Sequence, residues 1–222
     1  MMTSLLRKSG IFGMVVLMGA MLCSVSASAG VLYTTLGPGG QFDTTTGYLV
    51  NGSNFNNQVI ADPFIPTATA NLADAVLALC NVSNNNSPVN VYLESDNFGV
   101  PGAILDPLTQ VGTIGPFPPG GLVTFNCSTC PLLMMGTQYW LVAVEADPNS
   151  NQEWNWAFND PTGPIAFNTI GSATGPWNSV TAQISGFQID GGSGSTPEPG
   201  SLILFGSGLL GVAGVVRRRL LG

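Results

Sequence analysis

A chain of 222 residues with a net charge of −7 and only 8% charged residues is long enough for one domain and poor in the groups most catalysts use. It has no histidine, and its five basic residues lie at the two ends: Arg7, Lys8, Arg217, Arg218 and Arg219. The interval between Gly30 and Ser195 holds eleven carboxylates and no cation, which excludes Ser–His and Cys–His nucleophiles and lysine Schiff bases there and argues against binding phosphates or nucleic acid.

Residues 1–29 read as a secretory signal peptide. Arg7 and Lys8 supply a positive n-region, residues 11–23 a short apolar core, and Ala27-Ser28-Ala29 the small-x-small pattern that signal peptidase cuts. Cleavage after Ala29 leaves Gly30 as the mature N-terminus. The apolar run falls short of the ~20 residues a membrane span needs. Leu22, where a small residue would be expected, argues against lipidation at Cys23. Basic residues flanking apolar segments stay on the cytoplasmic side of a membrane, so both ends are addressed inward and the acidic middle outward.

Residues 30–190 carry a coarse all-β pattern. Short apolar or alternating runs occur at 48–50, 58–60, 75–79, 89–93, 122–125, 139–144 and 184–189. Turn clusters such as Asn84-Asn85-Asn86-Ser87-Pro88, Gly99-Val100-Pro101-Gly102 and Pro118-Pro119-Gly120-Gly121 separate them. Short strands so punctuated predict a single β-sandwich or jelly roll. Leu72, Val76 and Leu79 also fit a helical spacing, but the stretch 71–80 is short and reads better as a strand. Residues 191–196 form a Gly/Ser linker. Flanking helices are expected only in the signal segment and in the hydrophobic tail.

Within the domain, four kinds of residue invite a chemical reading. The first is carboxylates: Glu94, Asp96, Glu145, Asp147 and Glu153 are the candidates for the pair a glycosidase uses, although solvated acidic loops explain them better. The second is oxygen ligands: Asp147, Asn149, Asn151 and Glu153 alternate as at the start of a calcium loop, but lack the glycine and distal glutamate of an EF-hand. No cofactor is expected, and calcium is the one ion the pattern suggests. The third is Cys80, Cys127 and Cys130. A local Cys127–Cys130 bridge is preferred; pairing Cys80 with either would close a longer loop, contributing about 4 kcal/mol in the chain-entropy view. Zinc lacks ligands here without histidine. The fourth is tryptophan: Trp154 and Trp156 alternate on one strand face, as a sugar-stacking platform requires and as a core edge would also. Trp140 and Trp177 are further stacking candidates.

The tail, residues 197–222, opens on Pro197-Glu198-Pro199, continues through a glycine-punctuated apolar run at 201–216 and stops at Arg217, Arg218 and Arg219. Sixteen helical residues reach about 24 Å, less than the ~30 Å hydrocarbon core. Such a segment arrests in a membrane but anchors poorly, which suits a tail that is held and then cut. From Pro197 to Leu221 it resembles the PEP-CTERM sorting signal. The resemblance implies an exosortase partner, transient residence in the inner membrane, and a Gram-negative host that makes extracellular polysaccharide, with the cell surface or matrix as destination.

A second resemblance covers residues 45–190. Val91-Tyr92-Leu93, Gly99-Val100-Pro101-Gly102, the run from Leu133 through Gly136-Thr137-Gln138-Tyr139-Trp140-Leu141-Val142, and then Trp154 and Trp177 are similar to a choice-of-anchor R type of domain. That implies a displayed β-sandwich without assigned activity. The sequence thus predicts a non-enzymatic structural or adhesive surface protein; the alternative is a carbohydrate-binding module that engages exopolysaccharide through exposed tryptophans.

Overall fold

The computed structural model describes residues 30–83, 88–147 and 149–192. Ala27, Ala29, the Pro197-Glu198-Pro199 triplet, the three arginines and both expected end helices lie outside the described residues. Those described form twelve strands: β1 (Gly30–Thr34), β2 (Gly47–Asn51), β3 (Val59–Phe64), β4 (Ala70–Asn81), β5 (Val89–Asp96), β6 (Pro101–Val111), β7 (Gly121–Asn126), β8 (Leu132–Leu133), β9 (Tyr139–Glu145), β10 (Glu153–Asn168), β11 (Asn178–Ser185) and β12 (Phe187–Gly191). The all-β expectation holds, and 71–80 is strand as read. Among the described residues no helix is long and apolar enough to cross a membrane.

The expected two-sheet sandwich gives way to a closed barrel. Seven strands, in the order β4-β7-β6-β5-β9-β3-β10, return to β4 because β10 pairs with both β3 and β4. Two long strands turn the corners. β10 pairs with β2 and β4 through residues 153–157 and with β11 and β3 through residues 158–168. β6 pairs first with β5, then with β7. Both corner strands carry prolines, Pro101 and Pro107 in β6 and Pro161 and Pro164 in β10, so neither reads as a core strand in the sequence. Their ladders shift register opposite Glu94 and between Phe158 and Thr162, where bends are made.

Residues 184–189 are not one strand either, because Gly186 parts β11 from β12. Its carbonyl accepts from Ala78 N (2.9 Å) and Trp156 Nε1 (3.1 Å), and its N–H donates to Ala157 O (2.7 Å). A Cβ there would lie 3.1 Å from the Ala78 methyl, so the three chains meet only over a glycine. Gly191 belongs to β12, paired with Gly30 and Leu72, so the expected linker begins inside the barrel.

Inside, Trp154, Trp156, Phe64, Phe125 and Phe187 are fully buried with the aliphatic residues of β4 and β5. Tyr139 and Trp140 are neighbours on β9 and so point to opposite faces of it. Both are buried, because the segment between β10 and β11 lays Ala173 and Trp177 over an outer cluster of Val59, Ala61, Trp140 and Val142. Registers place the start of β1, the ends of β3, β5, β7 and β12, and the starts of β4 and β9 at one end of the barrel.

Candidate functional site

An open cleft of about 550 Å³ lies where the β5–β6 hairpin meets the segment leading into β11. Ser95, Asp96, Asn97, Thr174, Pro176 and Trp177 line it. Asp96 ends β5 and holds the wall together: its Oδ1 accepts from Trp140 Nε1 at 2.8 Å and Gln138 Nε2 at 2.7 Å, and the carboxylate also accepts from Gly99 N at 3.2 Å. Ser95 Oγ accepts from Ala103 N at 3.0 Å across the hairpin. On the far wall Gly175 takes φ +80°, and a Cβ there would meet Trp177 Cδ1 at 2.7 Å. That turn sets the half-buried indole of Trp177 against the outer cluster, with its N–H buried and without an acceptor among the described residues. The arrangement offers an aromatic surface beside hydroxyl and amide groups, in a wall that carries negative charge and no positive charge.

The sequence candidates fall elsewhere. Trp154 and Trp156 do share one face, but it is the inner one: they are 1% and 0% exposed, and Trp154 Nε1 donates to Glu145 Oε2 at 2.6 Å. Neither can stack a sugar, and Trp140 is equally buried. Trp177 alone of the four reaches the cleft. Its distinguishing signal is the preceding Gly175-Pro176, which puts it in a turn instead of an alternating run.

Cys127 and Cys130 are joined by a disulfide, and Cys80 is buried and free, its thiol pushed up to about 11 by burial. The bridge is held from β6, where the buried Asp106 carboxylate accepts from Ser128 N (2.9 Å), Thr129 N (2.9 Å) and Cys130 N (3.3 Å).

The carboxylates suggested as a catalytic pair divide between two ends. Glu94 and Asp96 lie near the start of β9, whereas Glu145 ends it and Asp147 follows. β9 spans about 20 Å at ~3.3 Å per residue, so a pair drawn from opposite ends lies well beyond the ~5–9.5 Å of glycosidase dyads. Glu94 is fully buried, and neither of its oxygens has a partner among the described residues; desolvation pushes its carboxyl up to about 8. Asp62 points into the barrel, meets Ser185 N at 3.4 Å, and is raised to about 7 by burial. Burial also raises Glu145, opposed by hydrogen bonds from Asp147 N and Trp154.

At the calcium-like loop, Asp147 Oδ1 already accepts from Asn149 N at 3.0 Å, Asn151 Oδ1 accepts from Asn54, and Glu153 begins β10. No three His, Cys, Asp or Glu side chains gather as a metal set among the described residues. The expectation of no cofactor is checked by melting curves in EDTA and in millimolar calcium, which should superimpose; a higher melting temperature in calcium would establish a bound ion.

In the sequence the β-domain is followed by a short apolar run and a basic stop. Residues 195–219 match the family model of the PEP-CTERM protein-sorting motif, so the chain carries that signal and is an exported, exosortase-sorted protein processed at the membrane. This match does not extend into residues 45–190, where the choice-of-anchor R resemblance rests on sequence motifs alone. No curated protein matches the chain.

Proposed function

We propose that the barrel is a non-catalytic adhesive module at the cell surface or in the extracellular matrix, and that it holds neutral polysaccharide in the Trp177 cleft. The observation that carries this reading is the placement of a half-buried indole beside Ser95, Asn97 and Thr174 in an open groove. A sugar ring presents apolar C–H faces and polar edges, and such a wall matches both. Charge selects the glycan: eleven carboxylates without a cation between Gly30 and Ser195 repel uronic-acid polymers and leave neutral ones unaffected. The same lack of basic groups supports a binding role over a catalytic one.

Titration of the full chain in detergent micelles with dextran and galactan tests this, followed by tryptophan fluorescence in the parent and by calorimetry in both parent and variant. Three indoles are buried, so a change on binding reports Trp177. Trp177→Ala should weaken binding by about tenfold, ~1.4 kcal/mol, and alginate should not bind. Equal affinity of parent and variant, or no response to neutral glycans, would leave a purely structural module.

A further inference from the structure

The barrel end from which the tail departs is also where bulky apolar side chains stand in water. Val31, Ile65, Leu132, Met134 and Met135 are each between 47% and 64% exposed. The backbone joins them: Thr67 N donates to Leu32 O, Gly136 N to Pro66 O, and Leu132 pairs with Asn71, whose carbonyl accepts from Gly192 N at 2.8 Å. The β5–β6 hairpin reaches the same end and carries Phe98 at its tip, 102% exposed.

Phe98 is in an unfavourable backbone conformation. Its φ is +55° and that of Gly99 is +87°, with Asn97 N bonded to Val100 O at 2.8 Å. Two successive positive φ values make the tight hairpin turn that favours Asn, Asp or Gly at its first central position. A bulky aromatic there costs on the order of 1 kcal/mol and contacts no core. Strain at a fully exposed apolar side chain points to a contact outside the barrel.

Chain length identifies the contact. Eight residues separate Gly192 from the apolar run that begins at Ser201. Fully extended they span less than ~30 Å, short of the roughly 40 Å width of a domain this size. While the tail is held in a membrane, the end bearing Gly192 cannot swing far from it.

We propose that this end is a lipid-docking face: before the tail is cut, Phe98, Met134, Met135 and their neighbours rest on the bilayer surface into which the tail runs. This rests on the tail's membrane-held stage. Because the barrel has no cation, the contact is apolar and favours zwitterionic over anionic lipid, the reverse of polybasic attachment.

The test places an environment-sensitive fluorophore at Phe98→Cys, Met135→Cys or, as a control at the opposite end, Phe55→Cys, in the full chain carrying Cys23→Ser. Cys80 is buried and Cys127 and Cys130 are bridged, so labelling is confined to the new thiol. In phosphatidylcholine vesicles, positions 98 and 135 should blue-shift and be quenched by brominated lipid, while position 55 is not. Both effects should shrink as phosphatidylglycerol replaces phosphatidylcholine. A chain that floats with vesicles but shows equal quenching at all three positions overturns the docking face and leaves the tail reading intact. Failure to float overturns both. A blue shift that tracks protein density and not brominated lipid overturns the proposal in favour of a second copy of the chain.

Discussion

Acidification from about pH 8.5 to about pH 5 should stabilise the barrel by on the order of 3 kcal/mol, about half of what the two full shifts imply because local relaxation and water uptake soften buried charges, raising its melting temperature by roughly 10 °C. Glu94 and Asp62 are the reason. Their carboxyls are raised by burial to about 8 and about 7, so the fold keeps them protonated where the unfolded chain would ionise them. The native state then binds more protons than the unfolded state, and stability falls as pH rises through that window. The stabilisation is complete below the ordinary carboxylate range and is lost as pH climbs through about 8. No cation lies between Gly30 and Ser195 to offset a buried negative charge. Asp43 works oppositely: hydrogen bonds from Thr46 and Thr45 lower it to about 2, so its contribution is lost only in strong acid. Glu94→Gln should flatten the upper part of the curve while leaving the acid limb in place. Melting curves across the pH series decide the matter, and a midpoint that rises between pH 5 and 8.5 would refute it.

Replacing Pro197 and Glu198 by alanine should leave the chain full length and membrane-bound in a host that has exosortase. Proline fixes φ and has no amide donor, which disfavours helix around a Pro-Glu-Pro sequence, and alanine removes that bias. If the apolar run behind it is held in the membrane as the sorting-signal match implies, each arginine at the stop opposes crossing by roughly 2.5–3.5 kcal/mol. Changing Arg217, Arg218 and Arg219 to glutamine should therefore release uncut protein past the membrane. Mass spectra of envelope and released fractions, from hosts with and without exosortase, separate the outcomes. The parent chain should begin at Gly30 and end near the triplet only where the enzyme is present. Intact protein ending at Gly222 in both hosts would reduce the tail to a simple anchor.

The ends of this chain are legible because charge and hydropathy speak for themselves when cations are confined to them. Strand runs such as 89–93 and 139–144 were legible through alternation and aromatic content. Barrel closure was not. It depends on β6 and β10, whose prolines mimic loop sequence and whose bulges let one strand serve two faces. The tryptophans mislead for a related reason: period-two spacing puts Trp154 and Trp156 on one face without saying which face is inside. Trp177 joins the cleft only when the segment before β11 folds over the outer face of β9, a long-range event that the local Gly175-Pro176 turn does not announce. The burial of Glu94 is equally illegible, because a carboxylate two residues from the end of a strand reads as solvated.

The pairing of Gly191 with Gly30 and Leu72 also determines how the domain bears force. A load that reaches the domain through Gly192 enters it at β12. That strand has a neighbour on each edge, β1 and β4, so the load is shared across both ladders at once and does not open them bond by bond. Shear of this kind makes forced unfolding slow, since it must pass a barrier in which many bonds break together. Any drag transmitted through the tail thus enters the barrel along a strand gripped on both sides, the geometry of a mechanical clamp.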